Sequence, residues 1–170
     1  MEYMLNICNK LHDDHMITIS LMERIETALP RIGRKSTPDM AEAALSSLLS
    51  DLQVAMQNEV TSHFAFEEEN LFTRIEAMGE TPMIDMLLGE HEIIRPMAAE
   101  LMQAVKAARS DGFSADSWQA FYELGLDLAE RETFHIQKEE MGILPLLEQI
   151  IDDDDDADLC RAYDAHQLAG

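Results

Sequence analysis

The chain has 170 residues, 34 of them acidic and 12 basic, for a formal charge of −22 at neutral pH. Such a surface repels the phosphates of nucleic acid and the headgroups of an anionic membrane, so neither is expected as a partner. The length predicts a single domain over residues 1–170 with a substantial core, and a hydrophobic content of 46% excludes a disordered acidic chain.

No stretch approaches the ~18 uninterrupted apolar residues of a membrane span, and residues 1–10 lack the basic start and cleavage site of a secretion signal. A cytoplasmic location is the expectation. Cys8 and Cys160 are too few for a disulfide framework and read as small apolar residues.

Glycine and proline are scarce and divide the sequence into four long amphipathic segments. The first, about 2–29, carries Met4, Cys8, Leu11, His15, Met22, Ile25 and Leu29 on one face and is expected to stop at Pro30 and Gly33. The second, about 39–78, is opened by Ser36-Thr37-Pro38-Asp39 and has the stripe Leu45, Leu48, Leu52, Met56, His63, Glu67, Leu71 and Met78 before Gly79. The third, about 82–110, presents Ile84, Leu87, His91, Ile94, Leu101, Val105 and Ala108 and ends at Gly112. The fourth, about 115–151, presents Trp118, Phe121, Leu124, Leu128, His135, Ile143 and Leu146. Local kinks are expected at Pro96 and Pro145, which cannot donate to the carbonyls of Glu92 and Met141. Residues 152–156, five aspartates, read as a solvated turn; in the tail, 157–170, Leu159 to Leu168 allows a short fifth helix. Short loops between long helices predict an all-α, up-down-up-down four-helix bundle.

The anomaly is polar residues on faces that should be dry. Each helix carries one inward histidine, His15, His63, His91 and His135, and two of these are followed four residues later by a carboxylate, Glu67 and Glu139. A four-residue step turns only ~40° and rises ~6 Å, so each such pair points the same way. Buried unpaired carboxylates cost several kcal/mol each, and cations held between imidazole nitrogen and carboxylate oxygen remove that cost. The order of the motifs also repeats. Asp14-His15 precedes His63-x-x-x-Glu67-Glu68 by 48 residues, and Glu90-His91 precedes His135-x-x-x-Glu139-Glu140 by 44. Two helical hairpins related by approximate two-fold symmetry would bring four imidazoles and two carboxylates to one level, a site for two metal ions.

This ordered set, followed by Ile143-Leu144-Pro145-Leu146, resembles the hemerythrin-like (HHE cation-binding) family over about Leu11 to Leu147. The resemblance implies a four-helix bundle with a non-heme di-iron centre, His15, His63, His91 and His135 as terminal ligands, and Glu67 and Glu139 as bridging ones. Nitrogen and carboxylate ligands without thiolate suit iron, with manganese or zinc less favoured. Two octahedral ions offer about twelve positions; the four imidazoles, two bridging carboxylates and an oxo or hydroxo bridge leave about two for a small ligand. The partner implied is therefore dioxygen or a related diatomic, and the expected role is sensing or iron and oxygen handling. The competing class is an enzyme or iron-handling protein that repairs iron–sulfur centres or reduces nitric oxide or peroxide. With His15 so near the start, no additional N-terminal cysteine-bearing module is expected.

Oxygen-carrying members have a fifth histidine on the helix bearing the third, where this chain has only His91. His12, on a neighbouring face of the first helix, and Glu59, four residues before His63, are the candidates for that position; the alternative for each is an outer residue beside the ligands. Asp14, Glu68, Glu90 and Glu140, each adjacent to a ligand, are turned ~100° away and read as a charged outer face. His91-Glu92 lacks the second histidine of a zinc-protease helix, and no nucleophile stands out, so binding rather than catalysis is the expectation.

Overall fold

The computed structural model describes residues 3–169, and all secondary structure among them is helical. Helix α1 is Asn6–Ile32. Helix α2 starts as Ala43–Asn58, passes through π-helical turns at Glu59–His63 and Glu67–Phe72, and ends with Thr73–Glu76. Helix α3 is Thr81–Asp111. Helix α4 begins as Ala115–Lys138, has a π-helical turn at Glu139–Ile143 and ends with Leu144–Ile150. Helix α5 is Asp153–Ala169. None is long and apolar enough to cross a membrane.

Several boundaries depart from the expected 2–29, 39–78, 82–110 and 115–151. Helix α1 starts later, because its free N–H groups are capped from outside: Asn6 and Ile7 donate to the Asp156 carboxylate at 3.0 and 2.8 Å, and Leu5 to Glu148 at 2.8 Å. The preceding Met4, placed on the core stripe from its spacing, is 84% exposed. Pro30 does not end α1, since in the last turn it forfeits a single bond; Gly33, at φ 92°, ends it. Helix α2 opens at Ala43 rather than 39, with Glu42 donating to Asp39 in the turn before it. It ends before Met78, which is exposed.

The largest correction concerns 152–156. The aspartates are not a turn: Asp152 accepts from Asp154 and Asp155 at 3.1 and 2.9 Å, and Asp153–Asp156 form the first turn of the 17-residue α5. Carboxylates there meet the unpaired N–H groups and positive end of the helix. Helix α5 is thus longer than the segment Leu159 to Leu168 and packs on α1 and on the part of α2 that carries His63.

Contacts fix how the long helices run. Arg24 meets Asp51 while His15 meets His63; Gln53 meets Arg109 while Glu68 meets His91. Glu148 meets Leu5 while Glu140 meets His15. Residue numbers rise on one helix as they fall on the other, so α1 and α2, α2 and α3, and α4 and α1 are antiparallel pairs. Gly125 sets the close approach of α4 to α1, where a Cβ would lie 3.1 Å from Leu29. The apolar core is split in two. One cluster gathers Leu21, Ile25, Leu52, Leu101, Trp118 and Phe121; the other gathers Ile7, Leu11, Phe72, Ile84, Leu147 and Tyr163. The polar residues singled out from the sequence lie between them.

Candidate metal centre

His15 of α1, His63 and Glu67 of α2, His91 of α3 and His135 and Glu139 of α4 converge in the core, none more than 1% exposed. Their donor atoms form two groups. His15, His63, Glu67 and Glu139 make one, and His91, His135, Glu67 and Glu139 the other, each able to hold one cation. Both glutamates serve both groups. Glu67 sets Oε1 3.2 Å from His63 Nε2 and Oε2 3.5 Å from His91 Nε2; Glu139 sets Oε2 3.2 Å from His15 Nε2 and Oε1 3.1 Å from His135 Nε2.

The outer nitrogen of every imidazole rests on a carboxylate from another helix. His15 Nδ1 meets Glu140 at 2.6 Å, His63 Nδ1 meets Asp14 at 3.2 Å, His91 Nδ1 meets Glu68 at 2.7 Å and His135 Nδ1 meets Glu90 at 2.9 Å. The four acids expected on a charged outer face are therefore built into the centre. The 100° turn holds, but in a bundle it points a side chain into the seam between helices, where it reaches the back of a neighbour's ring. Each acid is braced in turn. Tyr163 donates to Asp14 at 2.5 Å, Arg95 to Glu68 at 2.7 Å, Lys138 to Glu90, and Tyr3 to Glu140 at 3.0 Å. The repeated signal was legible: all four motifs carry an acid directly beside a residue of the two groups.

This ring decides the tautomers. A carboxylate only accepts, so Nδ1 carries the proton and Nε2 presents a lone pair inward. His15 and His63 then bring two Nε2 atoms within 3.2 Å, and His91 and His135 within 3.0 Å, lone pair against lone pair. Among the described residues, Glu67 Oε2 and both oxygens of Glu139 have no hydrogen-bond partner. Such a cavity needs positive charge in its middle, and cations fit it. In the metal-free chain protons take that place: burial disfavours charge on His15, but Glu139 and Glu140 raise its pKa to about 9. Burial likewise opposes charge on His135, and Glu139 outweighs it, raising the pKa to about 11.

A model of the hemerythrin HHE cation-binding domain matches residues 6–147. The chain belongs to this family. Hemerythrin-like domains bind metal cations, and the buried histidines and glutamates described above are the residues that could do so here. No curated protein matched the chain.

His12 and Glu59 stand outside both groups of four. His12 meets Glu140 at 3.0 Å. Glu59 is 2% exposed and accepts a hydrogen bond from Thr18 at 3.0 Å, one turn from the imidazoles. Sequence reasoning missed its companion, Glu132, fully buried with no hydrogen-bond partner for either oxygen among the described residues. It lies three residues before His135, whereas Glu59 lies four before His63, and the offset of one hid the correspondence. The π-helical turns were also missed. Each contains one residue of the two groups, His63, Glu67 and Glu139, and the last ends two residues before Pro145, which has no N–H to donate to the Met141 carbonyl. Cys8 is buried and its thiol is pushed up to about 12, first by desolvation, so it is an inert core residue. Met141, near the centre by register, is 82% exposed.

Proposed function

We propose that this chain is an up-down-up-down four-helix bundle, built from two helical hairpins, that holds two iron ions bridged by Glu67 and Glu139. At an open position of that pair it binds dioxygen or a related small diatomic, for sensing or for iron and oxygen handling. The observation that carries the reading is the pair of four-residue groups sharing both glutamates, each carboxylate turning one oxygen toward each group. Donors limited to nitrogen and oxygen favour iron or manganese over copper or an iron–sulfur cluster.

Bound iron supplies open coordination positions and reversible one-electron chemistry. The protein supplies the rest. The Nδ1 carboxylates hold a proton on Nδ1, so that Nε2 is the atom aimed inward to bind metal, and raise its basicity. Phe64 stacks on His91 with ring centroids 3.7 Å apart and fixes that ring's plane. The two apolar clusters exclude water from either end, which slows proton access to a bound ligand. Protein purified without oxygen, holding two irons per chain, should develop a new visible absorption band when titrated with dioxygen or nitric oxide. Two irons with no band for either gas would refute the reading.

One observation favours a second reading, an enzyme or iron-handling protein. Glu59 and Glu132 stand one turn from the imidazoles, and carboxyl groups near a reduced ligand can protonate it, which favours turnover over reversible binding. Stopped-flow mixing with dioxygen, nitric oxide and peroxide separates the two: a carrier or sensor releases its ligand unchanged on lowering the gas pressure, and an enzyme consumes it.

A further inference from the structure

Glu67 and Glu139 are not the only core acids with unpartnered oxygens. Glu59 Oε1 and both oxygens of Glu132 are equally without hydrogen-bond partners among the described residues, and these two acids are 2% and 0% exposed. They lie outside both groups of four. Their place in the fold is well defined. Thr18 is one turn after His15 on α1, Glu59 one turn before His63 on the antiparallel α2, and Glu132 one turn before His135 on α4, which is antiparallel to α1. All three therefore occupy one side of the imidazole layer. Glu67 and Glu139, one turn after their histidines, reach in from the other side. The two extra carboxyls are near enough to repel one another: after burial, which is the larger cause, Glu59 is the next that pushes the Glu132 pKa up.

Formal charge gives an independent argument. With Glu59 and Glu132 ionised, the form that holds a cation and that burial opposes in its absence, the carboxylates of this region are these two, Glu67 and Glu139, and the four on the Nδ1 atoms, eight negative charges. Arg95 and Lys138 with two divalent ions bring six positive charges. Two negative charges remain, the charge of one further divalent ion, and they sit on the acids whose oxygens are unpartnered.

We propose that Glu59 and Glu132, with the Thr18 hydroxyl, form a third cation position beside the histidine–glutamate pair. Its ligands are oxygens alone, so it takes a hard divalent ion such as Mn2+ or Fe2+ and fills after the nitrogen-rich pair. It is a holding position for metal on the side of the imidazole layer opposite Glu67 and Glu139. The charge count rests on the two-ion reading above.

The test is anaerobic titration with Mn2+ of protein already carrying two irons, followed by calorimetry and the electron paramagnetic resonance of bound manganese. Salt at about 1 M screens the acidic surface while leaving a buried site intact. Wild type should bind one further equivalent per chain. Glu132→Gln and Glu59→Gln should each lose that equivalent and keep two irons with an unchanged iron spectrum. Thr18→Val, which keeps both carboxylates, should weaken it about tenfold, and provides the test if a Gln variant does not fold. No third equivalent in wild type, or one that survives both Gln substitutions, overturns the proposal. Failure of the two-ion reading is separate: it appears as fewer than two irons before manganese is added.

Discussion

Glu140→Gln tests the ring of carboxylates behind the imidazoles. The Glu140 carboxylate accepts from His15 Nδ1 at 2.6 Å and meets His12 Nδ1 and the Tyr3 hydroxyl at 3.0 Å each, while its side chain is 18% exposed. Burial alone would raise its pKa, yet these hydrogen bonds, that from His15 foremost, hold it at about 2. Gln keeps the shape and removes the charge. Its single carbonyl oxygen can take the place of only one of the two carboxylate oxygens, so its amide NH2 faces either His15 or the pair His12 and Tyr3. A hydrogen bond to a charged group contributes about 1.5–3 kcal/mol, and 1.36 kcal/mol is a factor of ten, so affinity for the ion nearest His15 should fall about 10- to 150-fold. Losses of about 10- to 100-fold are usual for partners of this kind. Chelator competition on the iron-loaded protein should resolve one weakened ion and one near wild type, because His91 and His135 rest on other acids. Two ions released together at the wild-type chelator concentration would refute the idea that Glu140 supports His15 as a ligand.

Tyr163→Phe removes the hydroxyl that donates to Asp14 at 2.5 Å, so the ion nearest His63 should bind about 3- to 10-fold more weakly in the same assay, a smaller loss because the charge on Asp14 remains. Asp156→Ala uncaps α1 by removing the acceptor of the Asn6 and Ile7 N–H groups; about 1–2 kcal/mol should be lost, read as a Tm lower by about 2–8 °C, and an unchanged Tm would contradict the capping role. Metal-free protein should lose stability as pH rises. His15 and His135 have folded pKa values of about 9 and about 11 against ~6.5 when unfolded, so the folded chain binds more protons; their contribution is full below about pH 6.5 and is lost through about pH 9 and above. Denaturant midpoints measured from about pH 6 to 10 should fall, and bound metal, which displaces these protons, should abolish the fall. A midpoint that rises over this range would contradict the assignment.

The helices and the six central residues were legible because both follow from periodicity. A histidine on an apolar stripe announces its burial, and a carboxylate four residues on announces its direction. What escaped was set by contacts between helices. Asp14, Glu68, Glu90 and Glu140 were read as outer residues because a single helix places them off the core face, and only a neighbouring helix turns that position into a contact. The aspartate run was read as a turn by composition, although five acids before an amphipathic stretch also make a helix N-terminus. Nothing local reveals that Asp156 then caps a helix 150 residues away in sequence. Glu132 was hidden by a one-residue difference between the two repeats. The charge of −22 also divides differently from its appearance in the composition: a group of acids large enough to shape the interior is spent on the centre, and the remainder covers the surface.

The central claim is that two ions share Glu67 and Glu139. Mössbauer spectroscopy of protein loaded with two equivalents of 57Fe and oxidised tests it most directly, with Glu67→Gln beside wild type. The account predicts a single antiferromagnetically coupled diferric pair in wild type and its loss in the variant, with lower iron content. Two magnetically independent ferric ions in wild type, or a coupled pair that survives in Glu67→Gln with iron content unchanged, would contradict it.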